Sequence, residues 1–273
     1  MTSEDLLRKA REVLGESRSE AWLRSLIRDG LLSSAQKRGI AGQRGGRERG
    51  TWPEDQYFLF LDVLDALRVQ PRRQSLCNIV VNSWLTGERP SVHTPQVRRA
   101  LRTYRSAVGN RRESRKLAQQ LAQLFEAEPE TMSRSMRTRF TDAFEKALHD
   151  GDVNRDALNS PAFADQVGQT ELGRWLGPLG LTTTLEVFVV GRQQVDLAQD
   201  QELEAAKELH RKVLALAVAY VPQLAQDDAV GVFLDADSTS FLQREVSLFV
   251  ILALGVMTKL APTQEKSPTQ PVH

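Results

Sequence analysis

Cysteine is nearly absent from this 273-residue chain: Cys77, in Ser-Leu-Cys-Asn-Ile-Val-Val, stands alone. An internal disulfide is therefore excluded. The residue reads as a small buried hydrophobe in a protein suited to a reducing cytosol. Long apolar runs are missing too. The most apolar stretch, Val246–Met257, falls well short of the roughly 20 residues of a membrane span and reads as a buried helix. The opening Met-Thr-Ser-Glu-Asp is polar and acidic, unlike a signal peptide.

Catalytic and cofactor signatures are lacking as well. There is no P-loop, no dinucleotide-binding glycine pattern and no serine elbow. The histidines, His93, His149, His210 and His273, are scattered without ligand spacing, and His210 reads as a surface residue of a long helix. Asp235-Ala-Asp237 pairs two carboxylates, but no glycine or later glutamate completes a calcium loop, so it reads as a loop and helix cap. We therefore expect no enzyme, no metal and no cofactor. No internal repeat is visible. With 41% apolar residues the chain has enough for a real core, in one large or two modest domains.

What the sequence does have is charge divided between its halves. Residues 1–140 hold 26 Lys+Arg against 16 Asp+Glu, and residues 141–273 hold 10 against 19, so a nearly neutral chain is +10 at one end and −9 at the other. A basic half suits a polyanion, and an acidic half repels one. The cations cluster at Arg24, Arg28, Lys37, Arg38, Arg44, Arg47 and Arg49, and again at Arg98, Arg99, Arg102, Arg105, Arg111, Arg112, Arg115 and Lys116. A solvated basic face is the plainer alternative to nucleic-acid binding.

Ser3 can cap a helix to about Leu14, with Leu6, Leu7, Ala10, Val13 and Leu14 at helical spacing, and Gly15 ends it. Ser19 caps a second helix, Glu20–Asp29, with Gly30 after it. Two short helices across a tight turn are a helix-turn-helix candidate. In the second, Trp22, Leu23, Leu26 and Ile27 form an apolar face. Ala21, Arg24, Ser25 and Arg28 form the opposite one, small and cationic enough to enter a groove. Residues 33–52 interleave glycines with Lys37, Arg38, Arg44, Arg47 and Arg49. They suit a β-wing along phosphates, a flexible linker, or an Arg-Gly RNA-binding segment. A further helix starts near Thr51 and Pro53 and runs to about Arg68.

This order, with Trp22, the run Arg28-Asp-Gly-Leu-Leu, an arginine-rich wing and then Pro53-Glu54, resembles the winged helix-turn-helix of MerR-type transcription regulators over roughly residues 3–68. The wing is longer and richer in glycine than the family's. No long dimerising helix obviously follows Gln70, and the thiolates of metal-sensing members are absent. The resemblance implies a dimer on a near-palindromic double-stranded DNA site in a bacterial cytoplasm, with RNA polymerase as a further contact.

The expected fold class is mainly α: a winged helix-turn-helix domain (1–70), a basic helical connector (71–138), an acidic helical dimerisation or effector domain (139–261) and a disordered tail (262–273) rich in Pro, Thr and Gln. In the connector, Leu76–Leu85 is a short apolar element. Thr94 and Pro95 start a helix with Val97, Leu101, Tyr104 and Val108 on one side and Arg98, Arg102 and Arg105 on another, Arg99 beside them. That row fits either the DNA backbone or the acidic half. Ser114–Glu128, Arg139–His149, Glu202–Tyr220 and a helix from Thr239 or Ser240 to about Leu260 follow. Thr182–Val190 is compatible with a strand or a buried helix. The expected DNA contacts are Ala21, Arg24, Ser25, Arg28, Lys37, Arg38, Arg44, Arg47, Arg49, Arg98, Arg99 and Arg102. Sequence-specific regulation is the leading expectation. An architectural or partition-type DNA binder and a non-enzymatic adaptor are the alternatives.

Overall fold

Thr2, one residue before the expected Ser3, caps the first helix. Its Oγ1 accepts from the Asp5 amide at 3.3 Å, and its own amide donates to Asp5 Oδ2 at 2.9 Å, a reciprocal capping box. The computed structural model describes residues 1–37, 50–69, 73–124, 133–158, 160–169, 171–224 and 246–260. The described chain is mainly α. Helix α1 (Ser3–Leu14) buries Leu6 and Ala10, and Gly15 closes it in the left-handed region. Helix α2 (Glu20–Arg28) starts where Ser19 Oγ accepts from the Trp22 amide at 3.3 Å. Leu23 and Leu26 are buried, and Trp22 meets Phe60 edge-on at 6.2 Å.

Two short strands, β1 (Gln36–Lys37) and β2 (Gly50–Thr51), pair antiparallel with Gln36 opposite Thr51. Helix α3 (Glu54–Val69) follows. The Trp52 indole donates to the Ser33 carbonyl at 2.8 Å, and fully buried Gln56 joins three segments. Gln56 Oε1 accepts from Ser33 N at 3.0 Å, while Nε2 donates to Ser91 O at 3.1 Å and to Gln96 Oε1 at 3.0 Å. A buried amide so fully bonded fixes the ribbon and α3 against the helix carrying Gln96.

The remaining helices are α4 (Arg73–Thr86), α5 (Thr94–Val108), α6 (Arg111–Leu124), α7 (Arg134–Asp150), α8 (Arg155–Leu158), α9 (Pro161–Gln169), α10 (Glu171–Leu197), α11 (Asp200–Leu224) and α12 (Val246–Leu260). The stretch read as a connection with one short apolar element is the full helix α4, with Leu76, Cys77, Val80, Val81 and Trp84 buried. Thr182–Val190 resolves as helix inside α10. Leu181, Leu185, Phe188 and Val195 are buried at helical intervals, so core packing overrides the β-branched propensity of the run. The start expected for the last helix, at Thr239 or Ser240, and the pair Asp235-Ala-Asp237 lie outside the described residues.

One continuous apolar cluster runs from Leu6 to Leu254. Helix α5 lies at its middle, against α4, α6, α10, α11 and α12. Helix α12 buries Val246, Val250, Ile251, Ala253 and Leu254 within its own chain, mainly on α10 and α11. Its first turn rests on α4, where the Ser247 amide donates to Asn78 Oδ1 at 2.9 Å. Where α10 and α12 cross, the backbones touch at two glycines. A Cβ on Gly191 would strike the Ile251 carbonyl, and one on Gly255 would strike the Val187 carbonyl. Among the described residues, no helix is long and apolar enough to cross a membrane.

Helices α6 and α7 are joined by charge. Glu145, whose side chain is 10% exposed, accepts from Arg111 at 3.2 Å and from Arg115 at 2.5 Å. Burial pushes its carboxyl up, but the hydrogen bonds and charges of Arg115 and Arg111 outweigh burial, and its pKa falls below the ordinary 4.5. A carboxylate with a depressed folded pKa contributes stability that is present above the unfolded pKa and is lost as pH falls through the folded one. We expect this contribution to disappear progressively below about pH 4.5, and Glu145→Gln to flatten that part of the acid-unfolding curve. Superimposable curves for the two proteins, followed by circular dichroism, would contradict the assignment.

Candidate nucleic-acid interface

The α2 face expected to read DNA is presented to solvent. Trp22, Leu23 and Leu26 pack inward, which turns Ala21, Arg24 and Arg28 outward with Ser25 at the edge. The Arg24 and Arg28 side chains are 71% and 72% exposed. Their partners are local: Glu20 at 3.7 Å for Arg24 and Asp29 at 3.4 Å for Arg28. Exposed pairs of this kind contribute little and exchange readily for a phosphate or a base edge. Ser25 Oγ donates back to the Trp22 carbonyl at 2.7 Å. Lys37 lies in β1, at the base of the ribbon. Arg38, Arg44, Arg47 and Arg49 lie outside the described residues.

The C-terminal end of α2 is seated on α5. Gly30 has φ +80° and sits directly on the α5 backbone: a Cβ there would lie 2.7 Å from the Gln96 carbonyl oxygen and would collide with the Ala100 amide. Arg99 Nε donates to the Ile27 carbonyl at 3.1 Å, and Thr103 Oγ1 donates to the Asp29 carbonyl at 3.0 Å. Arg99 thus adds a second donor to a carbonyl that also accepts from the Gly30 amide at 3.2 Å, and Thr103 supplies a donor to a carbonyl just past the last turn of α2. Burial lowers the Arg99 guanidinium below the usual arginine value.

The structure thus gives Arg98, Arg99 and Arg102 intramolecular partners. Arg99 supports α2. Arg98 pairs with Asp200 at 2.5 Å, and Arg102 with Asp196 at 3.3 Å; Arg105 also pairs with Asp196. Thr94 Oγ1 donates to Glu204 at 2.7 Å. Of the two fits open for this row in the sequence, the DNA backbone or the acidic half, the structure displays the second. Asp196 at the end of α10 and Asp200 and Glu204 at the start of α11 form the acidic edge that faces α5.

His210 differs from the surface residue expected. Its ring lies 6.2 Å from Phe249, its buried Nδ1 has no hydrogen-bond partner among the described residues, and burial lowers its pKa. Among the described residues, no three His, Cys, Asp or Glu side chains are grouped so as to hold a metal ion. Comparison with known proteins yields no matching family model, no similar curated protein and no similar solved structure.

Proposed function

We propose that the protein is a sequence-specific, double-stranded DNA-binding transcription regulator of the cytoplasm. Residues 1–70 would act as a winged helix-turn-helix of MerR-like order, with α2 as the reading helix. The observation that carries this reading is the outward face of α2, where Arg24 and Arg28 stand exposed beside the small residues Ala21 and Ser25. An arginine in the major groove reads guanine by two parallel hydrogen bonds, and small neighbours let the helix approach. Lys37 and the wing cations Arg38, Arg44, Arg47 and Arg49 would contact phosphate and set register.

The regulator is proposed to act as a homodimer, which would place two α2 helices about one DNA turn apart. In support, the cleft between α11 and α12, about 490 Å³, is lined by Ala205, Leu209, Val256, Met257 and Leu260, with Glu208 and Lys212 among them. Sedimentation of the full chain tests this, and a monomer at micromolar concentration would oppose it.

The preferred site is to be selected from a random duplex library. On that site, Arg24→Ala and Arg28→Ala are each expected to weaken binding by about 1–3 kcal/mol while sparing random duplex. Equal losses on both duplexes would leave the architectural binder as the better account. No selection at all, with no binding at low salt, would leave the adaptor.

A further inference from the structure

The surface that carries an inference beyond α2 is the arginine row of α5. Arg98, Arg102 and Arg105 recur along one face of the helix. At 1.5 Å per residue they span about 10 Å, a length suited to adjoining phosphates. Each is held by the chain's own carboxylates. Asp200 takes Arg98, and Asp196 takes both Arg102 and Arg105. Arg102 also donates to the Asp196 main-chain carbonyl at 3.2 Å. Glu204 extends the acidic edge and holds Thr94 in the first turn of α5. The edge is partly open to water: the Asp196 and Asp200 side chains are 38% and 59% exposed, so a competing polyanion can reach it.

We propose that this arginine row is a second surface for the DNA phosphate backbone, and that Asp196 and Asp200 occupy it as an internal phosphate mimic, with Glu204 extending the acidic edge beside them. The acidic half then restrains the DNA affinity of the basic half. Helix α5 makes the two events one, because it also holds the end of α2 through Arg99, Thr103 and the Gly30 contact. A duplex that displaces the carboxylates meets an α5 still carrying the reading helix. The inference rests on the DNA-binding reading above.

The test uses the full chain and a labelled random-sequence duplex, with fluorescence anisotropy across a salt series. The double variant Asp196→Asn, Asp200→Asn removes two charges and keeps the side-chain shapes. It is expected to bind about tenfold more tightly at low salt, with the log–log salt slope steeper by about two units, since each phosphate engaged adds about 0.9. Adding Arg98→Gln, Arg102→Gln and Arg105→Gln should erase the gain. Asp200→Asn alone, at the more exposed position, should give part of the gain and serves as the readout if the double variant melts early. Wild-type binding that neither aspartate variant improves overturns the internal mimic and leaves the α2 reading intact. Absence of duplex binding by wild type and all variants overturns both.

Discussion

Gly255→Leu is expected to unfold much of the helical body, costing roughly 3–5 kcal/mol, near the upper end of single-substitution effects. At the α10–α12 crossing a side chain on Gly255 meets the backbone of Val187, which cannot move aside as a rotamer does. The helices would have to separate, opening the contacts of Leu185, Phe188, Ile251 and Leu254, all of them buried. Gly191→Ala should act in the same direction, because its Cβ points at the Ile251 carbonyl of the same crossing. Gly168 in α9 is the control. A Cβ there meets nothing within 4 Å, so Gly168→Ala should be neutral or stabilise by about 0.5–1 kcal/mol. Urea unfolding of the three variants measures this. A Gly255→Leu midpoint close to wild type would mean that the crossing is not the close contact described.

The second large effect is expected at Gly30. Gly30→Val places a β-branched residue at φ +80° and drives its Cβ into the α5 backbone, for a loss of about 2–4 kcal/mol. Gly15 has a similar φ of +73° but open space around it, so Gly15→Val should cost only the backbone strain, about 1–2 kcal/mol. The pair separates conformational strain from helix apposition. If α2 reads DNA, Gly30→Val should also lose the preferred site before it loses random duplex, because the reading helix is released from its seat. Equal costs at Gly15 and Gly30, measured by thermal unfolding, would show that the contact with α5 contributes nothing.

Much of the helical skeleton was legible because its punctuation is local. Ser19 before α2, Gly15 and Gly30 after the first two helices, and Thr94-Pro95 at the start of α5 each act within one turn of chain. The cap of α1 was placed one residue late, since Thr2 and Ser3 offer the same hydroxyl and only Thr2 is three residues before Asp5. Helix α4 was hidden because Leu76, Cys77, Asn78, Val80, Val81, Ser83, Trp84 and Leu85 are all buried. A helix covered on nearly every side shows no polar face to reveal its period. The run Thr182–Val190 was ambiguous because its β-branched residues favour a strand locally, and only the distant helices that cover it decide otherwise. For the candidate interface, the two faces of α2 could be read from spacing alone. The fate of the α5 arginines could not, because Arg98 and Asp200 are 102 residues apart and no local rule connects them.

The hydrogen bond from Ser247 to Asn78 has a kinetic meaning. It joins residues 169 apart, so the seat that α4 provides for α12 is filled only after most of the chain has been made. Closing so long a span costs conformational entropy before any contact rewards it, which slows folding. During synthesis α4 and α10 would wait with the surfaces meant for α12 bare, and a chain stopped before Val246 would keep them bare. Such a product is expected to be held by chaperones or to aggregate rather than persist as a shorter working protein.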